Sequence, residues 1–260
     1  MFLLDSLSIE IANRRIVSDV SLRIGAGVRV CLLGPSGSGK SMIARAALGL
    51  LPPTARVSGR IVMNGSDVAG VHALSRPKQS RMAMVMQDTQ AALNPLATIG
   101  YQLERPLRAQ GLSRAAARAR AAALLEAMHL PEADLLLRRC PPELSGGQRQ
   151  RVCIAMALAT GAPLMIADEP TTALDTVTQA QVLDVLHHAS GQGPALLFIT
   201  HDLRAAARLC DRAVVLQDGH VVETGTMSQI LSAPQHACTR AIVHAARRGD
   251  LPAMPVQQAA

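Results

Sequence analysis

Asp168 and Glu169 stand side by side at the end of an apolar run, Leu164-Met165-Ile166-Ala167. Such a run followed by two carboxylates is what a buried strand delivering acid groups to its carboxyl end looks like. Far upstream lies Gly34-Pro35-Ser36-Gly37-Ser38-Gly39-Lys40-Ser41, a GxxxxGK[ST] pattern between a strand-like and a helix-like segment. Glycines let backbone N–H groups turn inward around phosphate oxygens, and the following helix adds its positive end. Lys40 is placed to reach the β- and γ-phosphates of a nucleotide, and the Ser41 hydroxyl to bind Mg²⁺. Asp168 is expected to help hold that ion, through water or directly, and Glu169 to polarise an attacking water. His201 follows the apolar run 196–200, at a strand's carboxyl end, where ligands gather in parallel α/β sheets. A neutral imidazole there can hydrogen-bond both the γ-phosphate and the water. Taken singly, these are a chance glycine loop, an acidic helix cap and a structural histidine. Together they describe hydrolysis of a nucleoside triphosphate.

A second glycine loop, Leu144-Ser145-Gly146-Gly147-Gln148, directly precedes an apolar helical segment. Its N–H groups and the helix dipole offer a second anion site, but no lysine accompanies it. One nucleotide rarely needs two cradles, so this loop is expected to complete the site of another subunit.

The elements that must hold these groups are readable in outline. Residues 1–30 alternate apolar and polar (Leu7, Ile9, Ile11; Val20, Leu22, Ile24), as half-buried antiparallel strands do. Residues 28–33 form a buried strand entering the phosphate loop, and a helix from Lys40 is expected to stop at Pro52-Pro53. Strand-like 57–63 turns at Asn64-Gly65. Between about 99 and 139 alanine, arginine and leucine recur at helical spacing, with Ser113 as N-cap and Ala117, Ala121, Leu124 and Met128 on one face. Arg114, Arg118 and Arg120 fall on its solvated side. Helix 177–188, strand 196–200, a hairpin turning at Asp218-Gly219 and a basic helix 239–248 follow.

Composition narrows the setting. The 260 residues carry formal charge +7 and 49% hydrophobic residues, yet no run supplies the eighteen or so apolar residues of a spanning helix. The first residues lack a basic n-region and a cleavage site, so a cytosolic location is expected. Five scattered cysteines form no CxxC pair, which fits free thiols. Three aromatic residues are too few to stack bases, so the basic charge suits an anionic membrane surface better than nucleic acid.

These motifs resemble the nucleotide-binding subunit of an ABC transporter, over nearly the whole chain. The resemblance implies an α/β P-loop NTPase core of ABC type, with an N-terminal antiparallel β subdomain and an inserted helical subdomain at about 88–158. Residues 1–250 would form that single domain and 251–260 a disordered tail. It implies ATP and Mg²⁺ as cofactors, with ATP held by residues 34–41, Met42 and the Q-loop glutamine Gln87. The ion would be held by Ser41, Gln87 and Asp168. Glu169 becomes the catalytic base and His201 the switch histidine. Residues 144–148 become the signature loop acting on the partner subunit's ATP, and Ala173-Leu174-Asp175 the D-loop. One position departs: no aromatic near 11–15 can stack the adenine, and Phe2 lies too far away in sequence.

Gln87-Asp88, Ala92-Leu93-Asn94-Pro95-Leu96, Thr98-Ile99-Gly100, Val222-Glu223-Thr224-Gly225 and Pro234-Gln235-His236 resemble the peptide/nickel/opine importer group. Peptide-importing members commonly carry a longer, cysteine-bearing C-terminal extension, so the short form resembles nickel or metallophore types. Uptake of nickel or a metal–metallophore complex is therefore the first expectation, and di- or oligopeptides the alternative. The implied partners are two integral-membrane permeases, a second ATPase subunit (a related chain or a copy), and through them an extracytoplasmic solute-binding protein. The implied place is peripheral, on the cytoplasmic face of the inner membrane. A soluble ATPase of DNA repair or translation fits less well, because there is no long coiled-coil insertion and no second ATPase unit.

Overall fold

Phe2, Leu4, Leu7 and Ile9 cannot share one face of a regular strand, because period-two alternation breaks between Leu4 and Leu7. In the computed structural model, which describes residues 1–172, 174–191 and 193–248, β1 (Phe2–Ile11) absorbs the slip in a bulge. Ser6 takes φ 49°, and all four apolar side chains are buried. β2 (Arg14–Ile24) answers with Asp19 at φ 50°, and the bulges are stitched by Ser6 N donating to Ser21 Oγ and Asp19 N to Ser8 Oγ. β3 (Arg29–Leu33) enters the phosphate loop, and α1 (Lys40–Leu48) leaves it. β4 (Ala55–Met63) pairs with the other edge of β1, where Gly59 passes so close to the bulge that a Cβ would run into Ser6 O. With β5 (Ser66–Asp67) these strands make an antiparallel sheet of order β2-β1-β4-β5.

α1 does not run on to the prolines. Gly49, at φ 73°, closes it in a left-handed C-cap, its N–H reaching Ala46 O while Leu50 N reaches Arg45 O.

After β6 (Ala83–Val85) comes a helical stretch: α2 (Thr89–Ala92), α3 (Ile99–Ala109), α4 (Arg114–Ala127), α5 (Ala133–Leu136) and α6 (Gly146–Ala159). Ser113 caps α4 as expected, and the predicted apolar face is buried. Arg118 departs from the prediction: it is half-buried, between Glu104 and Asp134 at 3.7 Å each, whereas Arg114 and Arg120 are exposed. The Thr98-Ile99-Gly100 run acquires a reason. Thr98 caps α3, and Gly100 lies against the Leu137 carbonyl, which a Cβ would meet at 2.7 Å.

The core resumes with β7 (Leu164–Asp168), α7 (Thr176–Gly191), β8 (Ala195–Ile199), α8 (Leu203–Leu209), β9 (Arg212–Gln217), β10 (His220–Thr226), α9 (Met227–Ser232) and α10 (Ala237–Arg248). The six-stranded sheet has the order β10-β9-β3-β8-β7-β6, parallel except for the β9–β10 hairpin. Its middle strands are buried on both faces, which is why they read as unbroken apolar runs. Leu164 and Ile166 of β7 pack toward α1 and the antiparallel sheet, Met165 and Ala167 toward the helices. Glu223 clasps the N-terminus of α10 by accepting from Gln235 N (2.9 Å) and His236 N (2.8 Å), which links two of the short runs singled out in the sequence. Ala173 of the expected D-loop and the expected tail 251–260 lie outside the described residues.

Candidate functional site

Strand register brings the chemistry together. Leu32 pairs with Ile199, and Ile199 with Asp168, so β3, β8 and β7 end at one level. Residues 34–41, Asp168-Glu169 and His201 therefore share the carboxyl edge of the sheet. Glu169 N donates to Ile199 O (2.9 Å) and Thr200 N to Leu32 O (3.4 Å), which extends the register just past the strands.

The loop 34–41 turns on glycines in positive-φ conformations. Gly34, at φ 151°, has no room for a Cβ against Leu216 O; Gly39, at φ 101°, is the N-cap of α1 and faces Ile16 O. Lys40 is buried and its Nζ donates to Gly34 O (2.9 Å) and Pro35 O (2.8 Å), with Ser38 Oγ at 3.4 Å. Burial lowers the Lys40 pKa, against the opposing pull of Glu169 and Asp168. Ser36 and Gly37 are exposed at the tip, Ser38 is buried, and Met42 packs into the core under the antiparallel sheet. The ammonium is thus curled over its own loop, held by two backbone carbonyls.

Across from it, burial raises the Asp168 pKa, and a hydrogen bond from Ser41 and the charges of Lys40 and Arg45 pull it partly back. A half-buried carboxylate bonded to a hydroxyl, beside a second carboxylate, is an all-oxygen donor set of the kind Mg²⁺ prefers. Ser41 and Asp168 fit the ion. Gln87 is exposed on the wall of the same cavity of about 690 Å³, without a hydrogen bond to either.

Glu169 sits at φ 45°, a left-handed conformation uncommon for glutamate. Its Oε1 lies 3.0 Å from His201 Nδ1, and its Oε2 accepts from Thr172 Oγ1 at 3.0 Å. The pairing of His201 with the carboxylate was not expected from the sequence, and neither was Thr172. The one signal for Thr172 was its place three residues beyond Glu169. No helix starts at this pair, so the plain explanation as a helix cap falls away. Asp202 next to His201 caps α8 and accepts from Gln179 Nε2 (3.0 Å), fixing the histidine's loop to α7.

The second glycine loop opens α6. Ser145 Oγ accepts from Gln148 N (3.2 Å), and Gln148 Oε1 from Ser145 N (2.9 Å), a reciprocal cap that occupies the Gln148 side chain. Leu144 is buried, while Ser145 and Gly146 face solvent. Arg149 Nη1 donates to Leu144 O (2.6 Å), and Arg151 bridges Gly147 O (3.3 Å) and His129 O (3.0 Å). A Cβ on Gly147 would run into Thr178 Cγ2, so this loop packs on the start of α7. Asp175 caps that helix through Val177 N, Thr178 N and Thr178 Oγ1 (2.7 Å), and the Thr178 N–H holds its carboxyl below the usual range. The two glycine loops are separate features of the chain, and Gly146 of the second lines the cavity with Ser41 and Asp168.

The family model described as ABC transporter matches residues 17–172. The chain belongs to the ABC transporter family. Its fold is that of an ABC ATPase cassette: a dimeric, post-hydrolysis structure of the ATP-binding cassette MJ0796 bound to ADP and Pi is 30% identical, with TM-score 0.74, over 87% of this chain and 99% of that one. The probable D,D-dipeptide transport ATP-binding protein DdpD of Escherichia coli (strain K12) is 42% identical over 250 residues, 92% of this chain and 76% of that protein. The peptidoglycan transport ATP-binding protein YejF of Agrobacterium fabrum is 44% identical over 242 residues, 91% of this chain; the chain spans 44% of that protein's length. The cassette architecture accounts for the antiparallel sheet, the helical stretch and the parallel core in that order.

Aromatic stacking of a base has no support near the turn between β1 and β2. Ala12 and Asn13 form it with positive φ, Arg14 and Arg15 are exposed beside it, and Phe2 is sealed in the core.

Proposed function

We propose that this chain binds ATP with Mg²⁺ and hydrolyses it to drive import of a peptide-type solute through separate permease subunits. The reading rests above all on one arrangement: Gln87 and Asp88 line the same cavity as Ser41, Asp168 and Glu169. A group that senses the nucleotide thereby lies at the edge of the helical stretch. Residues 34–41 hold the phosphates; Ser41 and Asp168, with Gln87 after closure, hold Mg²⁺, which supplies charge neutralisation at the phosphates when bound. Glu169 accepts the proton of the attacking water, and His201 and Thr172 keep its carboxylate aimed. Residues 144–148 and Asp175 serve the ATP of a second ATPase subunit, a related chain or a copy.

The helical stretch offers a docking face. Gln102 pins the loop after α2 by accepting from Asn94 N (2.9 Å) and donating to Asn94 O (3.0 Å) and Ala97 O (2.9 Å). Leu93 is buried, Leu96 is left 92% exposed, and Tyr101 on α3 is exposed as well. That pair suits cytoplasmic loops of permeases, with a solute-binding protein on the far side. No helix among the described residues is long and apolar enough to cross a membrane, so the chain would sit peripherally at the cytoplasmic face of the inner membrane.

Nickel was the first expectation for the solute, and the relatives favour the alternative: DdpD is named for D,D-dipeptides and YejF for peptidoglycan. Deleting the gene and following labelled dipeptides, muropeptide fragments and nickel tests the choice. Loss of peptide accumulation with nickel unchanged is expected; loss of nickel alone would restore the metal reading, and recovery of the protein on ribosomes or DNA and never with permeases would overturn transport.

A further inference from the structure

Arg76 is 3% exposed, and no carboxylate among the described residues pairs with it. Its guanidinium instead collects carbonyls: Nη1 donates to Ala47 O, Nη2 to Ala46 O (3.4 Å) and Val68 O (3.2 Å), and Nε to Val71 O (3.0 Å). Ala46 and Ala47 form the last turn of α1, whose first turn opens the phosphate cradle. A buried unpaired cation is costly unless its surroundings compensate. Here the compensation is the negative end of a helix dipole, whose positive end faces the phosphate site.

We infer that Arg76 is a positioning residue for nucleotide binding, acting through the rear of α1 on the phosphate loop. Three further observations support it. Gly49 is obligatory where the segment holding Arg76 crosses the helix end, because a Cβ would strike Val71 O and come within 2.8 Å of Arg76 Nη2. Ala73 N donates to Gly49 O (3.4 Å), closing the clamp from the other side. The Arg76 carbonyl accepts from Arg81 Nε (3.2 Å), two residues before the strand β6 that leads to Gln87. One side chain thus ties the back of the phosphate helix to the segment that carries Gln87 to the cavity. Neither the burial of Arg76 nor its carbonyl partners belong to the phosphate loop, so the residue touches no reacting group itself.

Charge gives this role a signature that packing alone does not. The nine residues of α1 put the guanidinium about 13 Å behind the cradle. A full charge at that distance, in an effective dielectric near 20, changes affinity by up to about tenfold for each extra negative charge on the ligand. MgATP carries one more negative charge than MgADP, so loss of Arg76 should weaken MgATP more than MgADP.

The inference rests on residues 34–41 being the phosphate site, and a Lys40→Ala control separates the two failures. Calorimetric titration of the full chain with MgATP and MgADP, alongside thermal unfolding and steady-state hydrolysis, is the test. Arg76→Met should weaken MgATP by up to about tenfold more than it weakens MgADP, raising KM while kcat at saturation is kept. Arg76→Lys, which keeps the charge but not the fork, should recover most of the MgATP affinity. If Arg76→Met does not fold, Arg76→Gln keeps two donors, drops the charge and should show the same preferential loss. Unchanged MgATP affinity in a folded variant, or equal losses for both nucleotides with no recovery by lysine, would overturn the inference while a crippled Lys40→Ala left the site itself standing. Undiminished MgATP binding by Lys40→Ala would overturn both.

Discussion

Replacing Glu169 with glutamine separates chemistry from architecture, because the structure offers the amide nearly everything it offers the acid. Oε2 of Glu169 accepts from Thr172 Oγ1, a bond that an amide oxygen can take over. The other oxygen faces His201 Nδ1 at 3.0 Å, where an amide NH₂ can donate to the ring when its proton sits on Nε2. The left-handed backbone at φ 45° treats glutamate and glutamine alike. Folding stability should therefore change by less than about 0.5 kcal/mol. What the amide cannot do is take a proton. Losing a general base costs roughly 10²–10⁴ in rate, or about 2.7–5.5 kcal/mol of barrier. Thr172→Val is the companion: it leaves the carboxylate in place but frees one oxygen to wander. A hydrogen bond to a charged group is worth about 1.5–3 kcal/mol at most, and Thr172 is exposed to solvent, so a loss of about tenfold in kcat is expected. Phosphate release under single-turnover conditions, with MgATP affinity from calorimetry, measures both. MgATP should bind each variant as tightly as the parent. Glutamine at position 169 retaining more than about a tenth of the parent rate would falsify the assignment of the base. A Thr172→Val loss as deep as that of Glu169→Gln would instead show that threonine, and not the carboxylate alone, handles the proton.

A carboxylate on the second glycine loop should spare a subunit's own nucleotide and prevent ATP-driven pairing. Gly146→Asp is the variant for this, because Gly146 is exposed and its nearest obstacle, Arg149 Nη2, lies 4.0 Å from an added Cβ, whereas any side chain on Gly147 strikes Thr178 within the same chain. In a Glu169→Gln background, light scattering should show no MgATP-dependent association; association at parental concentration would sink the idea of a composite site. At the opposite end of the sheet, the Arg29 guanidinium donates to Asp211 at 2.8 Å and holds its carboxyl below the ordinary value of 3.8, against the effect of burial. A lowered folded pKa gives stability that is complete above the unfolded value and lost as pH falls through the folded one. Arg29→Met should therefore cost about 0.5–1 kcal/mol at pH 7, given the half-exposed carboxylate, and progressively less below about pH 4. Urea titrations at a series of pH values check this, and a gap that widens on acidification refutes it.

How much of the site could be read from the chain follows from how local each contact is. Lys40, Asp168 and His201 announce themselves because each ends or follows a buried strand whose apolar run is visible without the fold. The register that joins them, Leu32 to Ile199 to Asp168, follows from parallel pairing of three such runs. Thr172 lies only three residues beyond Glu169, but its role needs the positive φ of Glu169, which turns the chain back over its own carboxylate. Arg76 gave no signal at all: its partners are main-chain carbonyls up to 30 residues away, and a carbonyl has no sequence identity. The end of α1 was misplaced for a related reason. Prolines at 52 and 53 are loud punctuation, yet Gly49 ends the helix earlier, since only glycine fits against Val71 O in a left-handed cap.

The second glycine loop shows how a local rule can be right and still miss the constraint that matters. The N–H groups of residues 144–148 were expected to offer an anion site. Within the subunit Gly147 must in addition be glycine because Thr178 occupies the space of its Cβ. Thr178 is in turn held by Asp175, through both the backbone N–H and the hydroxyl. The chain from Asp175 to Gly147 is thus a run of direct contacts, one of them with no side-chain slack. A displacement of the Asp175 turn of the size of a methyl group has only two outcomes: it carries the N-terminus of α6 with it, or it opens a gap beside Gly147. Close-packed interiors resist the second. The two segments should therefore move as one body, so that a displacement of the Asp175 turn is delivered directly to residues 145–147.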